Sequence, residues 1–165
     1  MNESNASNEQ KSVEAAEVLP LHQFLTYRLS RVQAKLNAQA GAMLRRYAGL
    51  TLSQWRILAL VGAAGQTRLS DLARIAALDK GLLSRNLKSL IAEDLVMSKQ
   101  DEFDQRVQHL SLSPKGKTLF EKTLPRMRKR QHRLRSALNE HELGVFYQVL
   151  DKLEVAAEDR GEEGR

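Results

Sequence analysis

The segment DEFDQRVQHLSL, Asp101 to Leu112, sets three carboxylates, Asp101, Glu102 and Asp104, just ahead of one guanidinium, Arg106. Short runs on either side, LVMSKQ and RVQHLSL, alternate as strands do. Two chemistries fit the cluster. It is a charged hairpin turn, whose exposed ion pairs are each worth ~0–1 kcal/mol. Or Asp104 orients the Arg106 guanidinium at an exposed tip, from which an arginine can enter a DNA minor groove, where the negative potential is strongest when the groove is narrow.

A second cluster lies in KGLLSRNLKSL. Leu83, Leu87, Leu90 and Ile91 recur at i, i+4, i+7 and i+8, which is one buried helical stripe. By elimination Lys80, Gly81, Ser84, Arg85 and Lys88 point outward. A helix laid in a major groove needs donors near its N-terminus, short residues that permit close approach and cations at phosphates. All three are supplied. Arg68 and Ser70, at the start of the preceding helix, are assigned to the same DNA-binding set. The plain alternative is a solvated helix face.

A third possibility concerns a small ligand. Trp55-Arg56 and Tyr27-Arg28 each place an aromatic ring beside a guanidinium, a pair that suits an aromatic carboxylate or a phenolic ligand by stacking and a bidentate ion pair. Against this stands a core tryptophan with two structural arginines. The basic run RMRKRQHRLR either contacts phosphates or lines a channel, or is the wet face of a helix.

Catalysis and metals find little support. No GxxxxGK, GxSxG or HExxH occurs, so an enzyme is not expected. His22, His109, His132 and His141 are scattered, and neither a metal nor a cofactor is expected. The absence of cysteine excludes a disulfide framework, a cysteine-ligated zinc and a thiol switch.

The elements that must position these clusters can be read from periodicity and caps. At 165 residues, 42% hydrophobic, the chain can bury one modest core. Residues 1–17 and 159–165 are polar and are expected to be mobile tails. A helix is expected from about Leu21 to Tyr47, loosened at Gly41, with Leu21, Leu25, Leu29 or Arg28, Val32 and Leu36 on one face. Thr51 and Gln54 have the form of a capping box for QWRILALVGAA, whose stripe is Trp55, Leu58 and Val61 or Gly62, and Gly65 stops it. After the extended TRL, Ser70 is expected to cap DLARIAAL and Asp79 to cap KGLLSRNLKSLIAED. Two compact helices meeting at a Leu78-Asp79 corner are a helix-turn-helix candidate. Pro114 suits the first turn of a further helix, which Pro125 should kink. A last amphipathic helix enters through Asn139, with Glu142 behind it, and carries Leu143, Phe146, Tyr147, Leu150 and Leu153.

Helix, short strand, two helices, strand, turn, strand is the order of a winged helix-turn-helix. The expected fold is therefore mainly α with a small β-wing: a winged module over 49–113, flanked by helical dimerisation regions at 18–48 and 114–158. A first helix ~40 Å long exceeds the width of such a module. Its stripe (Leu21, Leu25, Leu29) and the C-terminal one (Leu143, Phe146, Tyr147, Leu150) are expected to be the interface of a homodimer. The formal net charge of +6 favours a polyanionic partner, double-stranded DNA first. The N-terminus lacks the basic start and apolar run of a signal peptide, and no apolar stretch approaches the ~20 residues of a membrane span. A cytoplasmic protein with no membrane partner is expected.

LTLSQWRILALVG, LSDLARIAALDKGLLSRNLKSLIAEDLV and DEFDQRVQHLSLSPKG resemble the MarR family of transcriptional regulators in order and spacing, over about Leu21 to Leu153. The most specific part is the wing: an acid, one residue and Arg before a strand ending in Leu-Ser-Pro-x-Gly. The resemblance places the family's wing-tip arginine on Arg106 and its supporting acid on Asp104. It implies a dimer of winged helices that represses nearby genes from a palindromic operator and releases DNA when a small phenolic or aromatic acid binds. Two departures stand out, Phe103 in place of a small or polar wing residue and Gly81 where many members carry Ser. Urate is disfavoured, because Arg56 stands where urate-responsive relatives carry an acid. From another functional class, the alternative is a protein-interaction adaptor that reuses a winged helix without DNA affinity.

Overall fold

The computed structural model describes residues 20–158, so the tails expected at 1–17 and 159–165 lie outside the described residues. The chain divides into two compact units, Met1–Leu52 and Ser53–Arg165.

In the first unit a 3-10 turn, Leu21–Gln23, precedes helix α1, Leu25–Ala48. The continuous helix expected from Leu21 is thus broken at Phe24, whose backbone is extended (φ −61°, ψ 126°). The break is orderly: Phe24 N–H closes the 3-10 turn on the Leu21 carbonyl at 3.1 Å, and the Phe24 carbonyl accepts from Arg28 N–H at 3.0 Å to begin α1. With 24 residues, α1 is ~36 Å long at 1.5 Å per residue. Gly41 does not interrupt it and is buried along with Ala40 and Leu44. Leu21, Leu25, Leu29 and Val32 are exposed.

The winged unit is built on helix α2, Leu52–Ala64, which buries Trp55, Leu58 and Val61 as the spacing predicts, with Ile57 added. Gly65, at φ 71°, takes the left-handed conformation that stops the helix without a Cβ penalty. The chain passes into strand β1, Gln66–Arg68, and directly into helix α3, Leu69–Ile75. Because Arg68 is still extended and occupies the cap position with no side-chain bond, Ser70 lies inside the first turn and is not the expected cap.

Helix α4, Lys80–Ala92, follows the corner. Asp79 caps it as expected, its Oδ1 accepting from Leu82 N–H at 2.7 Å. Leu83, Leu87 and Leu90 are buried, but Ile91 is 37% exposed. At 3.6 residues per turn Ile91 sits about 80° around the helix from Leu83, at the edge of the stripe. The helix ends in a paired cap: Asp94, left-handed at φ 56°, donates to the Ile91 carbonyl, and Leu95 N–H donates to the Leu90 carbonyl at 2.8 Å. This is the Schellman arrangement, with Asp where glycine is usual.

Strands β2, Val96–Gln100, and β3, Gln108–Leu112, complete an antiparallel sheet in the order β1-β3-β2. Central β3 aligns Leu110 with Thr67 on one side and Ser98 on the other, and Leu110 is fully buried. Helix α5, Pro114–Arg135, starts on Pro114 as expected and includes Pro125. Helix α6, Glu140–Glu158, is entered through a reciprocal box. In it Glu142 N–H donates to Asn139 Oδ1 at 2.9 Å and Asn139 N–H donates to Glu142 Oε2 at 2.8 Å. Phe146 and Tyr147 on α6 are exposed, and Leu143 and Leu150 are half-buried.

The end of α4 and the start of α5 are joined tightly. Ser113 Oγ donates to the Asp94 carbonyl at 2.6 Å and accepts from Gly116 N–H at 2.9 Å. Lys115 Nζ donates to the Glu93 carbonyl at 2.6 Å. A Cβ at Gly116 would fall 1.8 Å from the Leu95 carbonyl oxygen, so no other residue fits this contact.

Candidate nucleic-acid interface

Helix α4 turns its leucines inward and leaves the opposite side open. Lys80, Gly81, Ser84, Arg85 and Lys88 are all exposed, the face expected from the stripe. Near its N-terminus the surface is low: a Cβ at Gly81 would meet Asp79 Oδ1 at 3.3 Å and Arg85 Nη1 at 3.4 Å, so the Arg85 side chain lies back over that glycine. Ser89 belongs to the inner side. It accepts from Gln54 Nε2 of α2 at 3.0 Å and donates to Glu93 Oε1 at 2.8 Å. Arg68 and Ser70 are both exposed.

The corner between α3 and α4 carries strain and a clasp. Ala77 has φ 50°, a left-handed conformation that costs a non-glycine residue ~1–2 kcal/mol. Arg56 reaches across from α2, and its Nη1 donates to the carbonyls of Ala76 at 3.4 Å and Ala77 at 3.2 Å. Trp55 beside it is 6% exposed and stacks on Phe120 with ring centroids 6.0 Å apart. Trp55 and Arg56 therefore hold the winged unit together, whatever else they do. In the other unit Tyr27 is half-buried and carries Arg31 over its ring at 5.8 Å, while Arg28 is exposed.

The wing is the seven-residue turn 101–107 between β2 and β3, closed by Asp101 N–H on the Val107 carbonyl at 2.9 Å. Each of its acids has a partner. Asp101 Oδ1 accepts from the amides of Phe103 and Asp104 at 2.9 and 3.1 Å, while its Oδ2 lies 2.9 Å from His109 Nε2. Those bonds, the one with His109 first, hold the Asp101 carboxyl well below the ordinary value of 3.8, at about 2. Glu102 takes a hydrogen bond from Lys99 Nζ at 2.8 Å, which lowers the carboxyl and raises the amine. Asp104 Oδ1 accepts from the backbone N–H of Arg106 at 2.9 Å.

Asp104 thus shapes the backbone of the wing at Arg106. The expected grip on the guanidinium is not formed, and among the described residues no carboxylate lies within ion-pair distance of the Arg106 side chain. His109 is the residue that sequence reasoning passed over. In the sheet register it faces Arg68 on β1 and Lys99 on β2, so the wing's hub is flanked by cations. Among the described residues no group of three or more metal-ligating side chains occurs, and no helix is long and apolar enough to cross a membrane.

Comparison with known proteins agrees with this geometry. Residues 50–107, from the start of α2 through the wing, match the model of the MarR family. An uncharacterized HTH-type transcriptional regulator of Staphylococcus aureus is 34% identical over 68 residues, 41% of this chain and 47% of the relative. The chain thus spans about half the length of the curated relatives it matches. Among solved structures, a MarR-family transcriptional regulator from Silicibacter pomeroyi superposes with a TM-score of 0.65 at 27% identity, covering 87% of this chain and 95% of the other. NadR in complex with 4-hydroxyphenylacetate gives a TM-score of 0.67 at 25% identity, covering 83% and 96%.

Proposed function

We propose that this chain, whose residues 50–107 form a MarR-family winged helix-turn-helix domain, is a sequence-specific DNA-binding transcriptional regulator of the cytoplasm. It acts as a homodimeric repressor on a palindromic operator. The observation that carries this is the open face of α4, with Lys80, Gly81, Ser84, Arg85 and Lys88 exposed above a buried leucine stripe and a capped N-terminus. Arg106, exposed on the wing, supplies the second contact.

Dimerisation is supported by apolar residues left in water: Leu21 is 64% exposed, and Leu25, Leu29, Phe146 and Tyr147 are exposed with it. A second copy covering such stripes removes them from solvent. Control by a small aromatic or phenolic acid draws its support from the relative crystallised with 4-hydroxyphenylacetate. Tyr27 and Arg28 keep accessible surface for such a ligand.

The test is selection of bound duplexes from a random pool, with the parent and Arg106→Ala in parallel. An inverted repeat with half-sites ~10 base pairs apart, and binding that weakens steeply with salt, are expected, with affinity or preference reduced in the variant. Recovery of no duplex by the parent would sink the proposal.

A further inference from the structure

Phe103 is 98% exposed, the most exposed large hydrophobic side chain of the described chain. It does not dangle: Asp101 Oδ1 takes the amides of Phe103 and Asp104, which fixes the backbone on both sides of the ring's attachment. The neighbouring carboxylates are engaged with Lys99, His109 and backbone N–H groups. The side chains of Phe103, Gln105 and Arg106 are exposed at the tip and, among the described residues, make no hydrogen bond or ion pair.

We infer that Phe103 is a wedge, seated against a base step in the DNA minor groove that receives Arg106. The inference rests on the DNA-binding function proposed above. Charge alone would hold this tip weakly, because Asp101, Glu102 and Asp104 set three negative charges against the two positive ones of Lys99 and Arg106. A ring that leaves water on contact adds an attraction that salt does not screen. Its surroundings favour the groove over a protein partner. Phe103 is flanked in the turn by Glu102, Asp104 and Gln105, whereas a protein-docking patch needs several hundred square ångströms of apolar surface. A base step accepts a single inserted side chain, and phenylalanine and leucine both serve as such wedges.

The test uses the full chain and a selected operator duplex with 2-aminopurine placed in turn at each flanking step. The parent should raise 2-aminopurine fluorescence at one step in each half-site. Phe103→Ala should bind about 5- to 160-fold more weakly, with the slope of log affinity against log salt unchanged because no phosphate contact is lost. Phe103→Leu should recover most of the affinity and the signal. Arg106→Ala should bind less tightly with Phe103 in place. If Phe103→Ala binds as the parent does while Arg106→Ala weakens, the wedge is wrong and DNA binding stands. If the parent binds no duplex, both fall.

Discussion

Helix α4 holds Ser84 and Arg85 by what lies behind them: Leu83, Leu87 and Leu90 are buried, and Asp79 closes the first turn. The turn 101–107 has no such backing. It presents Phe103 and Arg106 through hydrogen bonds from their own amides to Asp101 and Asp104. One surface is placed by packing and the other by two carboxylates. The helix should therefore tolerate change on its outer face and fail through its core, and the wing should fail through its acids, in a way that depends on pH.

The sharpest break of that contrast is Leu90→Ala. Leu90 is fully buried, and removing it should lower stability by about 2–5 kcal/mol in chemical denaturation. A loss below 1 kcal/mol would mean that α4 is not held from behind. Asp79→Ala comes next and should cost about 0.5–2 kcal/mol through the lost cap, read in the same titration, with Asp79→Asn nearly neutral.

In the wing the effect should be local. Asp101 is depressed from 3.8 to about 2, so its stabilisation is fully present above the ordinary aspartate range and is lost as pH falls through about 2. Amide protection at Phe103 and Asp104, measured relative to the intrinsic exchange rate at each pH, should fall between roughly pH 4 and pH 2 before that of the α4 amides does. Simultaneous loss in both regions would erase the distinction. The smallest change is expected for Glu102→Gln: the Lys99–Glu102 pair is exposed on both sides, and thermal melting should not shift measurably.

The helix half of this comparison was legible in the sequence, and the wing half only in outline. Leucine spacing, the Asp79 and Asn139–Glu142 caps and the Pro114 start depend on neighbours within one turn, and local chemistry decides them. Ile91 escaped because a stripe has an edge, and Phe24 because a backbone break leaves the apolar pattern of α1 intact. The Asp101–His109 bond spans a hairpin and exists only once the register sets Lys99 opposite His109. A competing bond also hid the role of Asp104, since a carboxylate two residues before an arginine can meet either its guanidinium or its amide. Arg56 looked like a ligand residue beside Trp55, and only the left-handed Ala77 corner shows where its donors go.

The joint between the end of α4 and the start of α5 has a mechanical consequence. Ser113 and Lys115 bond the carbonyls of Asp94 and Glu93, and Gly116 sits directly against Leu95. The first turn of α5 is thus riveted to the last turn of α4, with no slack for the two to slide. From that rivet α5 extends 22 residues, ~33 Å. It is a lever whose short arm is α4, the helix proposed to face DNA: a swing of ~3 Å at its far end turns the rivet by about 5°, and α4 has to turn with it.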